Sequence, residues 1–273
     1  MDEIAEPGPI MNPITQNGID YFIEGIASYE DGEYEEAVKS YDQALTINND
    51  YYDAWMCRGE ALAKLGRHDE AVVSFENAIG IEPSYSGPWA NRGIALNKLE
   101  RHDEALQSFN QAILIDPKDP EGWYGHGASL YYLERGREAL LSFAKVLTIN
   151  PDFYKAWFDV GTIFLEQCMY NEAVESFDFG IQRNPNVPEP WNNRGVALHE
   201  LGRYDEALAS FEEAINIVPG FSQSQKNLNL LSGEKERGMD FSAIMVCEAE
   251  MKRGTSDLRR VAVPYQKTLI SYR

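Results

Sequence analysis

The sequence predicts an all-α protein, an α-solenoid in which helical repeats stack one after another. The five tryptophans are spaced 34 residues apart, and glycine, alanine, aromatic and proline columns recur with the same period, without insertions. A fixed period of this length indicates a stacked array, because each repeat in such an array contacts only its neighbours. The tryptophan and alanine columns consist of Trp55, Trp89, Trp123, Trp157 and Trp191, and of Ala37, Ala71, Ala105, Ala139, Ala173 and Ala207.

Each repeat reads as two amphipathic helices. In 52–85, apolar or small residues recur at helical spacing on both sides of Gly66. Gly66 supplies the left-handed residue that ends the first helix. Asp69 and Glu70 stand where the second helix begins, and acidic groups there interact favourably with the positive end of the helix dipole. Pro83 ends that helix.

The recurring columns are interpreted as packing residues. Gly59 and Ala71 are small, so the two helices of a repeat are expected to approach closely where they cross. Trp55 and Phe75 are expected to fill the space between this pair and its neighbours, as are their equivalents in other repeats. A cofactor site is not expected to recur every 34 residues.

Three repeats lack a glycine at the position of Gly66. Glu100, Glu134 and Cys168 stand there instead. A side chain in the left-handed conformation is unfavourable, so these helix ends are expected to be strained by up to ~1 kcal/mol or to be capped differently.

The stretch WNNRGVALHELGRYDEALASFEEAINIVP, at 191–219, resembles the tetratricopeptide repeat, and the resemblance covers about three-quarters of the chain. The matching signature residues are Trp191, Gly195, Leu198, Tyr204, Ala207, Phe211, Ala214 and Pro219. The resemblance implies a right-handed superhelix of antiparallel helix pairs, whose first helices line a concave groove for peptides or helices of partner proteins. The first repeat departs from the pattern, with Tyr21 in place of tryptophan and Asn49 in place of proline.

The period sets the expected domain organisation. The acidic, proline-rich residues 1–17 are expected to be a flexible lead-in. Six repeats follow, at 18–51, 52–85, 86–119, 120–153, 154–187 and 188–221. Residues 222–238 resemble the polar helix that closes such arrays, and 239–273 are expected to hold one more helix and a basic tail.

The charge balance restricts the class of partner. Residues 1–221 hold 15 Lys and Arg against 38 Asp and Glu, whereas 222–273 hold 9 against 6. Nucleic-acid affinity comes largely from neutralising phosphates, so an acidic array argues against a nucleic-acid partner. The sequence shows no membrane-length apolar run, no signal peptide and no paired cysteine spacing. These features predict a cytoplasmic protein with no membrane partner.

No catalytic, cofactor or metal site is expected. His68 and His102 stand in a tyrosine column and His126 in an arginine column. His199 is the only histidine expected on the inner surface, and no nucleophile or orienting partner lies at a recognisable spacing from it. The three cysteines lie too far apart to share a zinc ion, and there is no glycine-rich phosphate loop. The chain is therefore predicted to be non-catalytic.

The implied groove would be lined by aromatic and polar residues of the first helices. The expected lining residues are Phe22, Tyr29, Met56, Glu60, Asn91, Tyr124, Tyr131, Tyr132, Phe158, Asp159, Asn192, Asn193 and His199. Exposed aromatic groups along a groove are typical peptide anchors, although each could instead pad the contacts between helices. Eight acidic residues would face three lysines there, which favours partners with basic and apolar residues.

One well-known activity of the family is not expected here. Some members hold the acidic C-terminal tails of heat-shock chaperones with a clamp of lysine, asparagine and arginine side chains. The best-placed residues in this chain are Met56, Glu60, Asn91, Glu121 and Gly125, of which only Asn91 matches.

The C-terminal segment suggests a second mode of binding. Residues 252–273 hold six basic residues and one acid, interspersed with valine, leucine and tyrosine. This segment complements an acidic, aromatic groove, so it is predicted to dock on its own or a neighbouring molecule; the alternative is a disordered or locally packed tail. The main hypothesis is thus a scaffold or adaptor for a protein partner. Its alternatives are a self-associating regulatory or assembly subunit and an enzyme acting through 222–273.

Overall fold

The computed structural model describes residues 13–237, and their side chains from 17 to 233. Within that range all regular structure is helical, in thirteen α-helices and without a strand. The predicted all-α fold class is confirmed. The chain divides into two compact units, unit 1 at 1–135 and unit 2 at 136–273. None of the described helices combines the length and the hydropathy that a membrane span requires.

Unit 1 contains seven described helices, each packed against the next. They are α1 (Pro13–Glu30), α2 (Tyr34–Ile47), α3 (Tyr52–Lys64), α4 (His68–Ile81), α5 (Ser86–Lys98), α6 (His102–Ile115) and α7 (Pro120–Tyr132). We call the first helix of each repeat an A helix and the second a B helix. In unit 1 the A helices α1, α3, α5 and α7 also contact one another in that order, so the unit is a stack of helical hairpins.

Unit 2 follows the same scheme. Its described helices are α8 (Gly136–Ile149), α9 (Tyr154–Glu166), α10 (Tyr170–Arg183), α11 (Pro188–Glu200), α12 (Tyr204–Ile217) and α13 (Ser222–Arg237). The A helices α9 and α11 contact each other, and α13 packs on α11 and α12 where a further A helix would lie. The predicted helix at 239–252 and the basic tail at 252–273 lie outside the described residues.

The first helix begins earlier than expected. The lead-in was predicted to extend to residue 17, but α1 begins at Pro13. Proline suits the first turn of a helix, because its missing N–H would have no partner within the helix there and its φ angle is already helical. Part of the proline-rich lead-in therefore belongs to the first hairpin.

In five of the hairpins, an aromatic ring of the B helix packs against a glycine of the A helix before it. Tyr41, Phe75, Phe109, Phe177 and Phe211 are at most 1% exposed. A methyl group added to the facing glycine would lie only 2.5 to 2.8 Å from the ring, far inside van der Waals contact. The recurring glycines face these rings: Gly25, Gly59, Gly93, Gly161 and Gly195. The predicted close approach of the two helices thus has a defined cause.

The tryptophans have a second role besides the expected packing. Trp157 is buried, but the other four are only partly buried. In every case the indole N–H donates to a backbone carbonyl six residues earlier, at 2.8 to 3.2 Å, as Trp89 does to Pro83. An indole needs a partner for its N–H when it leaves water. The tryptophans therefore fix the loop before each A helix and also pack against the core, as Trp55, Trp89 and Trp157 do.

An arginine in three A helices joins two B helices. Arg92 donates to the Glu76 carboxylate in α4 at 2.8 Å and to the Ser108 hydroxyl in α6 at 2.6 Å. Arg58 and Arg194 make the equivalent pairs of contacts. Because one guanidinium reaches both helices, it fixes the offset between successive hairpins.

The caps without glycine adopt the strained conformation. Glu100, Glu134 and Cys168 have φ angles of 59°, 59° and 58°, in the left-handed region that Gly66 also occupies at 74°. Of the two expected outcomes, strain is therefore the correct one. The turn is retained because the amide N–H groups of 100 and 101 still bond the last carbonyls of α5.

We predict that Glu100→Gly stabilises the protein by up to about 1 kcal/mol, because glycine adopts positive φ without a steric penalty. The matched control is Gly66→Ala, which should destabilise by a similar amount, since nothing but the backbone conformation opposes a side chain there. Urea unfolding of the purified variants measures both changes. A loss of stability in Glu100→Gly would contradict this account.

Candidate partner-binding face

The predicted site residues fall on equivalent positions of successive A helices. Eight lie in unit 1 and five in unit 2. Because the A helices of each unit contact one another in order, residues separated by 34 form rows across those helices. The residues of the two units have different surroundings.

In unit 1 the predicted residues share one surface with apolar side chains that sequence reasoning missed. We call this surface the unit-1 face. It comprises Phe22, Ile23, Ile26, Tyr29, Met56, Cys57, Glu60, Asn91, Ile94, Tyr124, Tyr131 and Tyr132. Ile23, Ile94 and Tyr132 are 58%, 47% and 51% exposed, whereas the others are partly buried. These exposed side chains lie on α1, α5 and α7 of one helical stack, which makes this surface a candidate interaction site.

Two of the aromatic residues on the unit-1 face also serve packing. The Phe22 ring lies 4.8 Å from the ring of Tyr51, and Tyr29 lies 5.2 Å from Tyr34. Tyr132 stacks on His102 at 4.8 Å with half of its surface still exposed. Phe22 and Tyr29 therefore contribute in part to contacts between helices, which is the alternative to a role as peptide anchors. Tyr132 packs against a neighbour and is also exposed.

Glu60 is the partly buried carboxylate of the unit-1 face. Its Oε1 accepts a bond of 3.3 Å from the Asn91 amide in α5, and within the described part of the chain no basic nitrogen lies within 4 Å of it. Burial raises the pKa of the Glu60 carboxyl above its usual value, while the Asn91 bond and Lys64 on the same helix act to lower it. The carboxylate thus loses water without gaining a matched cation.

The groups around Glu60 offer no nucleophile. Burial, followed by the negative field of Glu60, raises the pKa of the Cys57 thiol to about 11, so the thiol is protonated at neutral pH. The Tyr41 hydroxyl bonds to the same thiol, and burial raises the pKa of that hydroxyl. Across the described residues, no three His, Cys, Asp or Glu side chains are grouped so that they could hold a metal ion.

In unit 2, Phe158 is directed partly at its own hairpin. Its ring packs against the backbone of Gly180 in α10, where a methyl group would collide with it, and lies 5.6 Å from the ring of Tyr154. Other repeats have alanine or valine in place of Gly180. The bulky Phe158 and the absent side chain at 180 therefore compensate each other. Asp159, beside it, is partly buried.

The structure corrects the expected exposure of the last three site residues. Asn192, Asn193 and His199 are only 1%, 7% and 5% exposed. The Asn192 side-chain oxygen accepts bonds from Ser224 at 2.9 Å and Asn227 at 3.0 Å, both on α13. Asn192 also donates to Asn193 at 3.2 Å. These asparagines hold the closing helix, because α13 occupies the place of a further A helix, and they are not an open surface.

The comparisons with known proteins agree with this geometry. The sequence profile described as tetratricopeptide repeat matches residues 52–85, 88–119 and 188–221, and a related profile described as TPR repeat matches 25–66. The matched stretches are tetratricopeptide repeats (TPRs). No curated protein matches it in sequence.

Solved structures show the same fold at low sequence identity. A TPR protein named YrrB, described as having an unusual peptide-binding site, is 20% identical, with a TM-score of 0.56 over 69% of this chain and 97% of its own. PilF of Pseudomonas aeruginosa is 17% identical, with a TM-score of 0.67 over 79% and 98%. The Cut9–Hcn1 hetero-tetramer structure is 16% identical, with a TM-score of 0.67 over 81% of this chain and 43% of that one.

We predict that, in a background in which the six basic residues at 252–273 are replaced by glutamine, Glu60→Gln raises the stability of the protein at pH 7 by less than about 1 kcal/mol. The raised pKa of Glu60 means that its ionisation opposes folding, and this penalty grows as the pH rises through the folded-state pKa. The stability gained by Glu60→Gln should therefore vanish at a pH at which the carboxyl is protonated in both the folded and the unfolded protein. Thermal unfolding between pH 3 and pH 7 measures it.

Glu70 is the matched control, because two bonds of 2.6 Å from Arg67 lower the pKa of its carboxyl. Its stabilising contribution is present at neutral pH and lost as the pH falls through the lowered pKa. Glu70→Gln should therefore destabilise the protein at pH 7. The same sign of change in both variants would refute the assignment of Glu60 as an uncompensated carboxylate.

Proposed function

We propose that this TPR protein is a non-catalytic scaffold that binds a segment of a partner protein on its unit-1 face. The observation that carries the proposal is the exposure of Ile23, Ile94 and Tyr132 on α1, α5 and α7, three A helices of the stack that also holds the partly buried Glu60 on α3. Side chains that protrude from a partner can bury this apolar surface, and a carboxylate adds selectivity for charge.

The chemistry of the face defines the kind of partner. Apolar side chains and an uncompensated carboxylate fit a segment with both apolar and basic residues, and they disfavour phosphate and acidic tails. Two of the structural neighbours are described by what they bind or assemble with, one by a peptide-binding site and one as a hetero-tetramer. Those descriptions support a binding function for this chain through a shared fold only.

A self-associating regulatory or assembly subunit is the second candidate function. The charge distribution favours it, since the six basic residues at 252–273 are the complement of an acidic surface on the same chain. In this function, residues 252–273 would occupy the acidic surface until a partner protein displaces them.

Site-specific photo-cross-linking tests the main proposal. Benzoylphenylalanine at Ile94, on the unit-1 face, should give covalent adducts with a partner protein, because that side chain is 47% exposed at the centre of the face. Benzoylphenylalanine at Leu114 is the matched control, since Leu114 is 76% exposed on the B helix α6 of the same unit. Mass spectrometry of the adducts identifies what was captured.

Adducts at position 94 that are absent at 114 would support the unit-1 face as the binding surface. A partner so identified should bind Ile94→Asp at least about tenfold more weakly than the native protein, and Leu114→Asp with unchanged affinity. Equal capture at both positions, or unchanged affinity of Ile94→Asp, would show that the partner binds elsewhere.

A further inference from the structure

One row of the unit-1 face alternates apolar and acidic groups. Ile26 in α1, Glu60 in α3 and Ile94 in α5 are separated by 34 residues and occupy equivalent positions of three A helices that contact one another in order. Ile94 lies one helical turn from Asn91, whose amide bonds the Glu60 carboxylate. The row therefore places one carboxylate between two isoleucines.

The spacing of this row defines the geometry of a ligand. Axes of packed helices are about 8 to 10 Å apart. A chain in polyproline II conformation rises about 9 Å in three residues and returns to the same side after each turn. A β-strand would instead direct residues three apart to opposite sides. The row thus fits a polyproline II segment with one basic residue and with apolar residues three before and three after it.

The chain contains such a segment outside its described residues. Of the six basic residues between 252 and 273, only Lys267 has an apolar residue at both positions, Pro264 and Ile270. The sequence of 264–270 is PYQKTLI. It contains a proline, which favours the polyproline II conformation, and no acidic residue that Glu60 would repel.

We propose that the unit-1 face binds residues 264–270 of this chain, with the Lys267 ammonium at the Glu60 carboxylate and with Pro264 and Ile270 at Ile26 and Ile94. The segment comes from the same molecule or from a second copy. This inference rests on the proposed function of the unit-1 face and names its resident ligand. The ammonium supplies the cation that the partly buried carboxylate lacks among the described residues.

Zero-length cross-linking of the full-length protein tests the proposal. A carbodiimide joins a carboxylate to an amine in direct contact, so peptide mapping by mass spectrometry should find Glu60 linked to Lys267. Glu60→Gln and Lys267→Gln should each remove this product. Glu121→Gln, an exposed carboxylate on α7, should not affect it. In the charge-reversed pair Glu60→Lys with Lys267→Glu, the link should reappear between the exchanged groups.

Binding of a labelled synthetic peptide of residues 258–273 gives a second measurement. The full-length Lys267→Glu protein cannot use its own segment, so it should bind the peptide about tenfold more tightly than the native protein does. Adding Glu60→Gln to that variant should weaken binding about tenfold, as expected for loss of a charged hydrogen bond. Mixing isotopically labelled and unlabelled protein before cross-linking shows whether the segment comes from the same molecule.

The proposal is overturned if no link to Lys267 forms at Glu60 and if adding Glu60→Gln leaves the peptide affinity unchanged. If a partner is nevertheless captured from position 94 but not from 114, the scaffold function stands and only the resident ligand is wrong. If position 94 captures nothing and the segment does not bind, both proposals fail.

Discussion

The contact between a B-helix aromatic ring and an A-helix glycine is the constraint on which the rest of this structure depends. Each ring fills the space that a side chain at the glycine would need, so the two helices cross at a separation set by the ring. Phe109 shows the principle most fully, because its ring packs against Gly93 of its own repeat and Gly125 of the next. One side chain thereby fixes both the hairpin and its neighbour.

The proposed binding surface follows from this arrangement. The aromatic rings and the alanines fill the contacts between packed helices. The sides of the A helices that face away from these contacts can therefore differ from repeat to repeat. In unit 1 they carry exposed isoleucines and a carboxylate that burial makes less acidic. At the end of unit 2, the equivalent side carries Asn192, which binds α13 and closes the stack. The same side of the A helices is therefore exposed in unit 1 and covered by the closing helix at the end of unit 2.

Much of the fold could be predicted from the sequence, since recurrence at 34 residues reports packing directly. Gly59 and Phe75 recur because each needs the other, and Glu100 could be assigned a strained cap because its column otherwise contains glycine. The tryptophans show the limit of this reasoning. Recurrence indicates that an indole packs against the core, but it does not show that the indole N–H also bonds a loop carbonyl, as that of Trp89 does.

The candidate site was less predictable, because exposure depends on neighbours that lie outside the repeat. Asn192 looked like an open-surface residue until α13 was placed on it. Ile94 was missed because an isoleucine inside an amphipathic helix reads as core, and its exposure of 47% in the structure marks it as a surface residue. Gly180 appeared to be a departure from the pattern, yet it makes room for Phe158.

A double-mutant cycle at Gly93 and Phe109 tests the central claim most directly. Gly93→Ala places a methyl group 2.8 Å from the native ring, and Phe109→Leu removes the ring. Alanine also favours helix formation, but that gain is common to both backgrounds and cancels in the cycle. If the ring and the glycine constrain each other, Gly93→Ala should be less destabilising by at least about 1 kcal/mol when position 109 is leucine. Additive free energies of unfolding would show that the hairpins are set by something else.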